Sequence, residues 1–174
     1  MASPKGWLPD ESLWELPRLV ALVDGAKKSV RVQLLTEHSA ELEAALERAA
    51  ARGVAVELLV SDWCKRKGCV EGLQKLATRP NLHVAFITIP PWSGGFVPYA
   101  RVAHAKYLVV DGERAWVGTS NWERDYFYKS RNVGLIIAGG TLPARLDAFF
   151  VGNWKSAYTT PVDPAATYTP PRTH

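Results

Sequence analysis

The spacing of hydrophobic residues switches between a helical and a strand period along the first half of the chain, and those switches predict its elements. Leu13, Leu16, Leu19, Val20 and Val23 recur three and four residues apart, which predicts a helix over 11–28 with Pro17 near its first turn. Residues 29–35 then alternate as a strand. Ser39 is placed to cap a second helix over 40–52, with Leu42, Ala45, Leu46 and Ala49 turned inward and Gly53 as its stop. Residues 54–60 form the next apolar run. A strand, a helix and a strand joined by short connections predict a parallel pair within an α/β sheet.

The second half continues the pattern. A basic loop over 61–69 lies at the carboxyl end of the second strand, where open α/β sheets usually contact ligands. A helix over 70–79 and a strand over 82–89 follow, then a Pro/Gly/aromatic loop over 90–101 that contains Trp92, Phe96 and Tyr99. Residues 104–121 read as two strands joined by a tight turn, residues 132–138 as a further strand, and residues 142–154 as a helix that packs Leu146, Phe149 and Phe150 on the sheet. From 159 onward a Pro/Thr-rich stretch without periodicity predicts a disordered tail. The expected organisation is an N-terminal extension (1–10), one domain (11–158) and that tail (159–174).

The chemistry concentrates in the hairpin. His104, Lys106, Leu108 and Val110 share one strand face, and Ala105, Tyr107 and Val109 the other, so the strand is apolar on both faces beyond a polar mouth. With Gly112-Glu113 as the loop, Asp111 faces Arg114 and His104 faces Asn121; with Asp111-Gly112 as the loop, the register shifts. Either way an imidazole, an ammonium and a carboxamide gather at one end. A neutral imidazole can attack phosphorus, Lys106 supplies fixed positive charge, and Asn121 can donate to a non-bridging oxygen, with no metal or cofactor called for. Asp111 before a glycine is explained by the turn itself. Thr119 and Ser120 stand as phosphate-binding groups or as the end of the strand. Trp63, with Lys65, Arg66 and Lys67, and Tyr99 stand as substrate contacts or as packed and solvated loop residues.

These residues fit H-x-K-x4-D-x6-G-[ST]-x-N, and the stretch resembles the HKD signature of the phospholipase D superfamily. From about Leu16 to Tyr158 the chain resembles the carboxy-terminal half of two-motif members, nearest to the branch containing 5′ exonucleases of single-stranded nucleic acid. Leu58 to Trp63, Val97 to Tyr107, Gly118 to Phe127 and Asn153 to Tyr158 carry that likeness. The resemblance implies an α/β fold, a mixed sheet flanked by helices with a single HKD domain. It also implies a phosphodiesterase working through a phosphohistidine on His104, with Asp111 in an orienting role. A second motif histidine would protonate the leaving oxygen and then activate water. His38, His83 and His174 lie outside the motif, so that second motif is expected from a homodimer mate or a missing half. Arg131 stands near the place where single-motif nucleases often carry a glutamate, for which Glu123 or Asp125 would have to substitute.

Composition narrows this further. At 174 residues and 47% hydrophobic content the chain suits one domain, and a net charge of +4 favours anionic partners. Cys64 and Cys69 are too few for a zinc site; they read as free thiols, with a local disulfide as the alternative. No stretch has the apolar length of a leader or of a membrane span, and a soluble chain of unassigned compartment is expected. Expected substrates are phosphatidyl lipids, approached by the apolar 92–97 stretch, or single-stranded nucleic acid, held by basic residues and by stacking. A third reading is a catalytically silent binding or dimerisation half, against which the joint presence of His104, Lys106 and Asn121 argues.

Overall fold

The structure is a computed structural model that describes residues 1–174. In chain order it contains β1 (Ala2–Ser3), α1 (Glu15–Asp24), β2 (Ser29–Leu34), β3 (Glu37–His38), α2 (Ala40–Ala51) and β4 (Ala55–Ser61). There follow α3 (Val70–Ala77), β5 (Leu82–Ile87), β6 (Lys106–Val110), β7 (Arg114–Gly118), β8 (Trp122–Glu123) and α4 (Arg124–Tyr128). The chain closes with β9 (Asn132–Ala138), α5 (Leu142–Trp154) and β10 (Thr159–Pro161).

Eight strands form one mixed sheet in the order β1-β9-β7-β6-β2-β4-β5-β10. Strands β2, β4 and β5 run parallel, the first two as the strand–helix–strand reading predicts, and β6 returns antiparallel against β2 with Lys106 beside Leu34. The first residue of β6 therefore lies at the end of the sheet where β2, β4 and β5 finish. Strands β3 and β8 make a separate two-stranded parallel ribbon.

The two sheet faces are covered unequally. One buries Val30, Val32 and Leu34 of β2, Val56, Leu58 and Val60 of β4, and Leu108, Val110 and Trp116 of the hairpin in the main core, with Leu19, Val23, Leu42, Leu46 and Leu73 of α1, α2 and α3. The other carries a smaller cluster around Tyr107, Val109, Leu59 and Phe150, closed by α5. No helix is long and apolar enough to cross a membrane.

Several boundaries differ from the sequence reading. The first helix is shorter at both ends: Asp10 caps a separate single turn over Glu11–Leu13, α1 starts at Glu15, and it stops at Asp24. It stops there because the amides of Lys27, Lys28 and Ser29 donate to the Asp111 carboxylate rather than continuing a helical ladder. The N-terminal residues are not an appendage, since Ala2 and Ser3 pair with Val133 and Asn132 at the sheet edge. The segment read as a disordered tail adds β10 against β5, buries Val162 with its amide donating to the Val84 carbonyl, and sets Tyr168 edge-on to Phe86. Composition misled here because the few apolar residues of that segment are spent on a neighbouring strand, not on a periodic face of their own. Cys64 and Cys69 form a disulfide instead of remaining free thiols.

Candidate active site

The hairpin places the site. Asp111 and Gly112 both take positive φ, and the Glu113 amide donates to the Val110 carbonyl at 3.1 Å, so they are the centre of a tight turn. Val110 then pairs with Arg114, leaving Glu113 as an additional residue on the return strand. This corrects the register in which Asp111 faces Arg114: the Asp111 side chain is drawn towards the 27–29 amides, and the residue joins the turn. His104 is not paired with Asn121 in a ladder either, because β6 begins only at Lys106.

Lys106 Nζ lies 3.1 Å from His104 Nε2. An ammonium has no lone pair, so a protonated Lys106 donates and His104 Nε2 accepts, which puts the ring proton on Nδ1. Partial burial lowers the His104 pKa, and the Lys106 charge lowers it further. Burial lowers that of Lys106 as well. The result is an exposed imidazole whose Nε2 lone pair faces a neighbouring ammonium.

Asn121 follows β7 and is 3% exposed; its Nδ2 donates to the Tyr126 hydroxyl at 3.0 Å, while its Oδ1 has no partner. It makes no hydrogen bond to His104 or Lys106 in this structure. Tyr126, on α4, was not singled out by the sequence, where it is one aromatic among several after the motif.

Asp111 stands at the other end of β6, five residues and about 17 Å along the strand from Lys106. Burial acts to raise its pKa, but the amides of Ser29, Lys28 and Lys27, with Arg114, hold it below the ordinary carboxylate value. It stays anionic and ties the hairpin turn to the entry of β2.

The hydroxyls of Thr119 and Ser120 both have partners within the protein. Thr119 Oγ1 donates to Asn132 Oδ1 and accepts from the Val133 amide, stitching the end of β7 to β9. Ser120 is fully buried and donates to Glu15 Oε2 at 2.6 Å. Sequence reasoning could not find Glu15, because its partner lies 105 residues away. Glu123 pairs with Arg66 and Asp125 with Lys129, so both carboxylates are engaged away from His104.

Trp63 and Tyr99 part company. Trp63, in the single turn after β4, lines a cleft of about 360 Å³ with Trp92, Phe96, Arg101 and Arg172. This cleft lies along the loop that runs into His104. Tyr99 is 69% exposed and outside the cleft lining; its amide donates to the Thr173 carbonyl and its ring stacks on His174. Arg172 lies over the Phe96 ring at 4.0 Å, so the C-terminal segment helps to build the cleft.

Residues 19–154 match the family described as cardiolipin synthase, PLD-like domain. The chain belongs to this phospholipase D-like family. It is 30% identical to phospholipase D Z of Dictyostelium discoideum over 92% of this chain and 41% of that protein. It is 32% identical to the 5′-3′ exonuclease PLD3 of Macaca fascicularis over 94% of this chain and 37% of that protein. The phospholipase D-like chain thus spans about two-fifths of the length of these relatives. Among solved structures, NucT from Helicobacter pylori superposes with a TM-score of 0.72 at 18% identity, covering 85% of this chain and 89% of that one, which shows the shared fold.

Proposed function

We propose that this phospholipase D-like domain supplies one half of the active site of a metal-independent phosphodiesterase, with His104 as nucleophile. The observation that carries this reading is the exposed imidazole of His104 set 3.1 Å from Lys106 at the open end of the sheet, its pKa lowered by partial burial and by the Lys106 charge. As Lys106 turns from the ring to the non-bridging oxygens, His104 Nε2 attacks phosphorus while the bond to the leaving oxygen breaks, giving a phosphohistidine. Lys106 balances charge on the non-bridging oxygens. The leaving oxygen takes its proton from a histidine of a second motif. That histidine then removes a proton from water as the water attacks phosphorus and the P–N bond breaks, returning His104.

An uncovered apolar face supports the need for a second half. Val117 and Leu135 are paired neighbours on β7 and β9, Val133 lies two residues from Leu135 on the same face, and Phe149 of α5 sits beside Tyr107. Leu135 is 63% exposed, and Val133 and Phe149 are each 57% exposed. Contiguous apolar surface of this kind is a protein-docking feature. A homodimer mate or another half of a longer protein would cover it.

For substrate, the exposed Ile89, Trp92, Phe96 and Val97 beside the cleft support phospholipase-type action on phosphatidyl lipids. A second reading, cleavage of single-stranded nucleic acid, draws on Trp63 in a cleft that also holds Arg101 and Arg172. The deciding experiment is chelator-treated turnover of a bis-aryl phosphodiester with light scattering on the same sample, followed by phosphatidylglycerol vesicles against a 5′-labelled oligonucleotide. Turnover by a dimer that is lost in His104→Ala supports the reading. Undiminished turnover in His104→Ala overturns it.

A further inference from the structure

Glu15 takes no part in the chemistry read from the motif, yet it is bonded to the motif from both sides. It is fully buried at the start of α1. Its Oε1 accepts the Trp116 indole N–H at 2.9 Å and its Oε2 accepts the Ser120 hydroxyl at 2.6 Å. These two donors flank Val117, Gly118 and Thr119, and Ser120 immediately precedes Asn121. The space for the bridge is made by glycines. A Cβ on Gly134 of β9 would collide with Glu15 Oε1 and Trp116 Nε1, and one on Gly118 would collide with the Trp116 ring. Two glycines, a tryptophan and a serine are thus arranged around one carboxylate that comes from a distant helix.

We infer that Glu15 is a positioning residue: by holding Ser120 and Trp116 together it fixes the 118–121 segment, and through it the Asn121 carboxamide, for a phosphoryl group bound at His104 and Lys106. The inference rests on the phosphodiesterase reading. A carboxylate serves here because it can accept from both donors at once, and in a buried site each donor left without an acceptor carries a full desolvation penalty. The side chain acts at a distance from phosphorus, so what it controls is geometry, not protonation of the substrate.

The test uses the active assembled protein and two readouts: affinity for inorganic phosphate by calorimetry, and kcat and KM on the bis-aryl phosphodiester. Glu15→Leu removes both acceptors and is expected to weaken phosphate binding and lower kcat by about tenfold or more each. Glu15→Gln is expected to stay within about threefold of the parent, because the carboxamide oxygen accepts from Trp116 and its NH2 donates to Ser120 Oγ. Ser120→Ala cuts the link without touching the helix and is expected to match Glu15→Leu, and the double variant to be no worse than either single one. Where Glu15→Leu fails to fold, Ser120→Ala decides alone. Variants that melt at lower temperature but bind phosphate and turn over like the parent would make Glu15 a purely structural cross-link and overturn the inference. A parent protein that neither binds phosphate nor turns over would instead sink the phosphodiesterase reading, and the failure would be visible before any variant is made.

Discussion

The amide groups of Lys27, Lys28 and Ser29 converge on one carboxylate, that of Asp111, with the Lys28 amide 2.7 Å and the Ser29 amide 2.9 Å from Oδ1. Asp111 pins the start of β2 to the turn of the hairpin. Its side chain is 8% exposed, so these bonds form largely out of water.

Asp111→Ala should therefore destabilise the fold by about 2–3 kcal/mol, the usual range for losing a mostly buried charged acceptor. Asp111→Asn, which keeps one oxygen, should lose less. The folded-state pKa is lowered, so this contribution is present above the ordinary carboxylate value of about 3.9 and is lost as pH falls through the folded value. Urea titrations of parent and variant at pH 7 and pH 3 check this: the gap between them should narrow at the lower pH.

Burial, with the Lys106 charge, holds the His104 imidazole below its ordinary value of about 6.5. The imidazole proton signal of His104, assigned by its loss in His104→Ala, should titrate with a midpoint below that value. Lys106→Met should raise the midpoint by removing the neighbouring charge, while partial burial remains. A midpoint unmoved by the substitution would show that the ammonium does not act on the ring.

Glu37 is fully buried on the β3–β8 ribbon, and its Oε2 has no partner. Burial and the nearby Glu43 push its carboxyl well above the ordinary range, against the single Ser39 amide that lowers it. Folding therefore favours the protonated form, so stability is greatest below the unfolded value of about 4.3 and declines as pH rises towards the folded one. Glu37→Gln should gain melting temperature relative to the parent on going from pH 5 to pH 7. Parallel melting curves at both pH values would rule this out.

Leu135→Lys places a charge in the exposed apolar face of β9 without touching the main core. If that face seats a second phospholipase D-like half, the variant should be monomeric by light scattering wherever the parent is a dimer. Its melting temperature should change by no more than the loss of association explains. A variant dimer of unchanged dissociation constant would locate the interface elsewhere.

Much of the fold is legible in the sequence because its signals are local. The switch from three- and four-residue spacing to alternation places β2, α2 and β4 and makes them a parallel pair, and Asp111-Gly112 marks the hairpin turn. His104 and Lys106 are legible for the same reason, being two residues apart. What escaped the reading joins distant residues: Glu15 to Ser120, Asp111 to the 27–29 amides, and Val162 to β5. Those bonds decide which hydroxyls are free for a ligand, where the first helix stops, and whether the last residues are ordered. Spacing along a chain carries no record of them.

Lys106 opens strand β6 with His104 just before it, and Asp111 stands in the turn beyond the strand's other end. In the proposed reading the motif is therefore two devices written into one stretch of chain, a reagent and a fastener. They are separable by experiment, since a substitution at the histidine is read by turnover and one at the aspartate by denaturation. In the proposed reading the aspartate serves the shape of this domain, and the histidine and lysine together serve its chemistry.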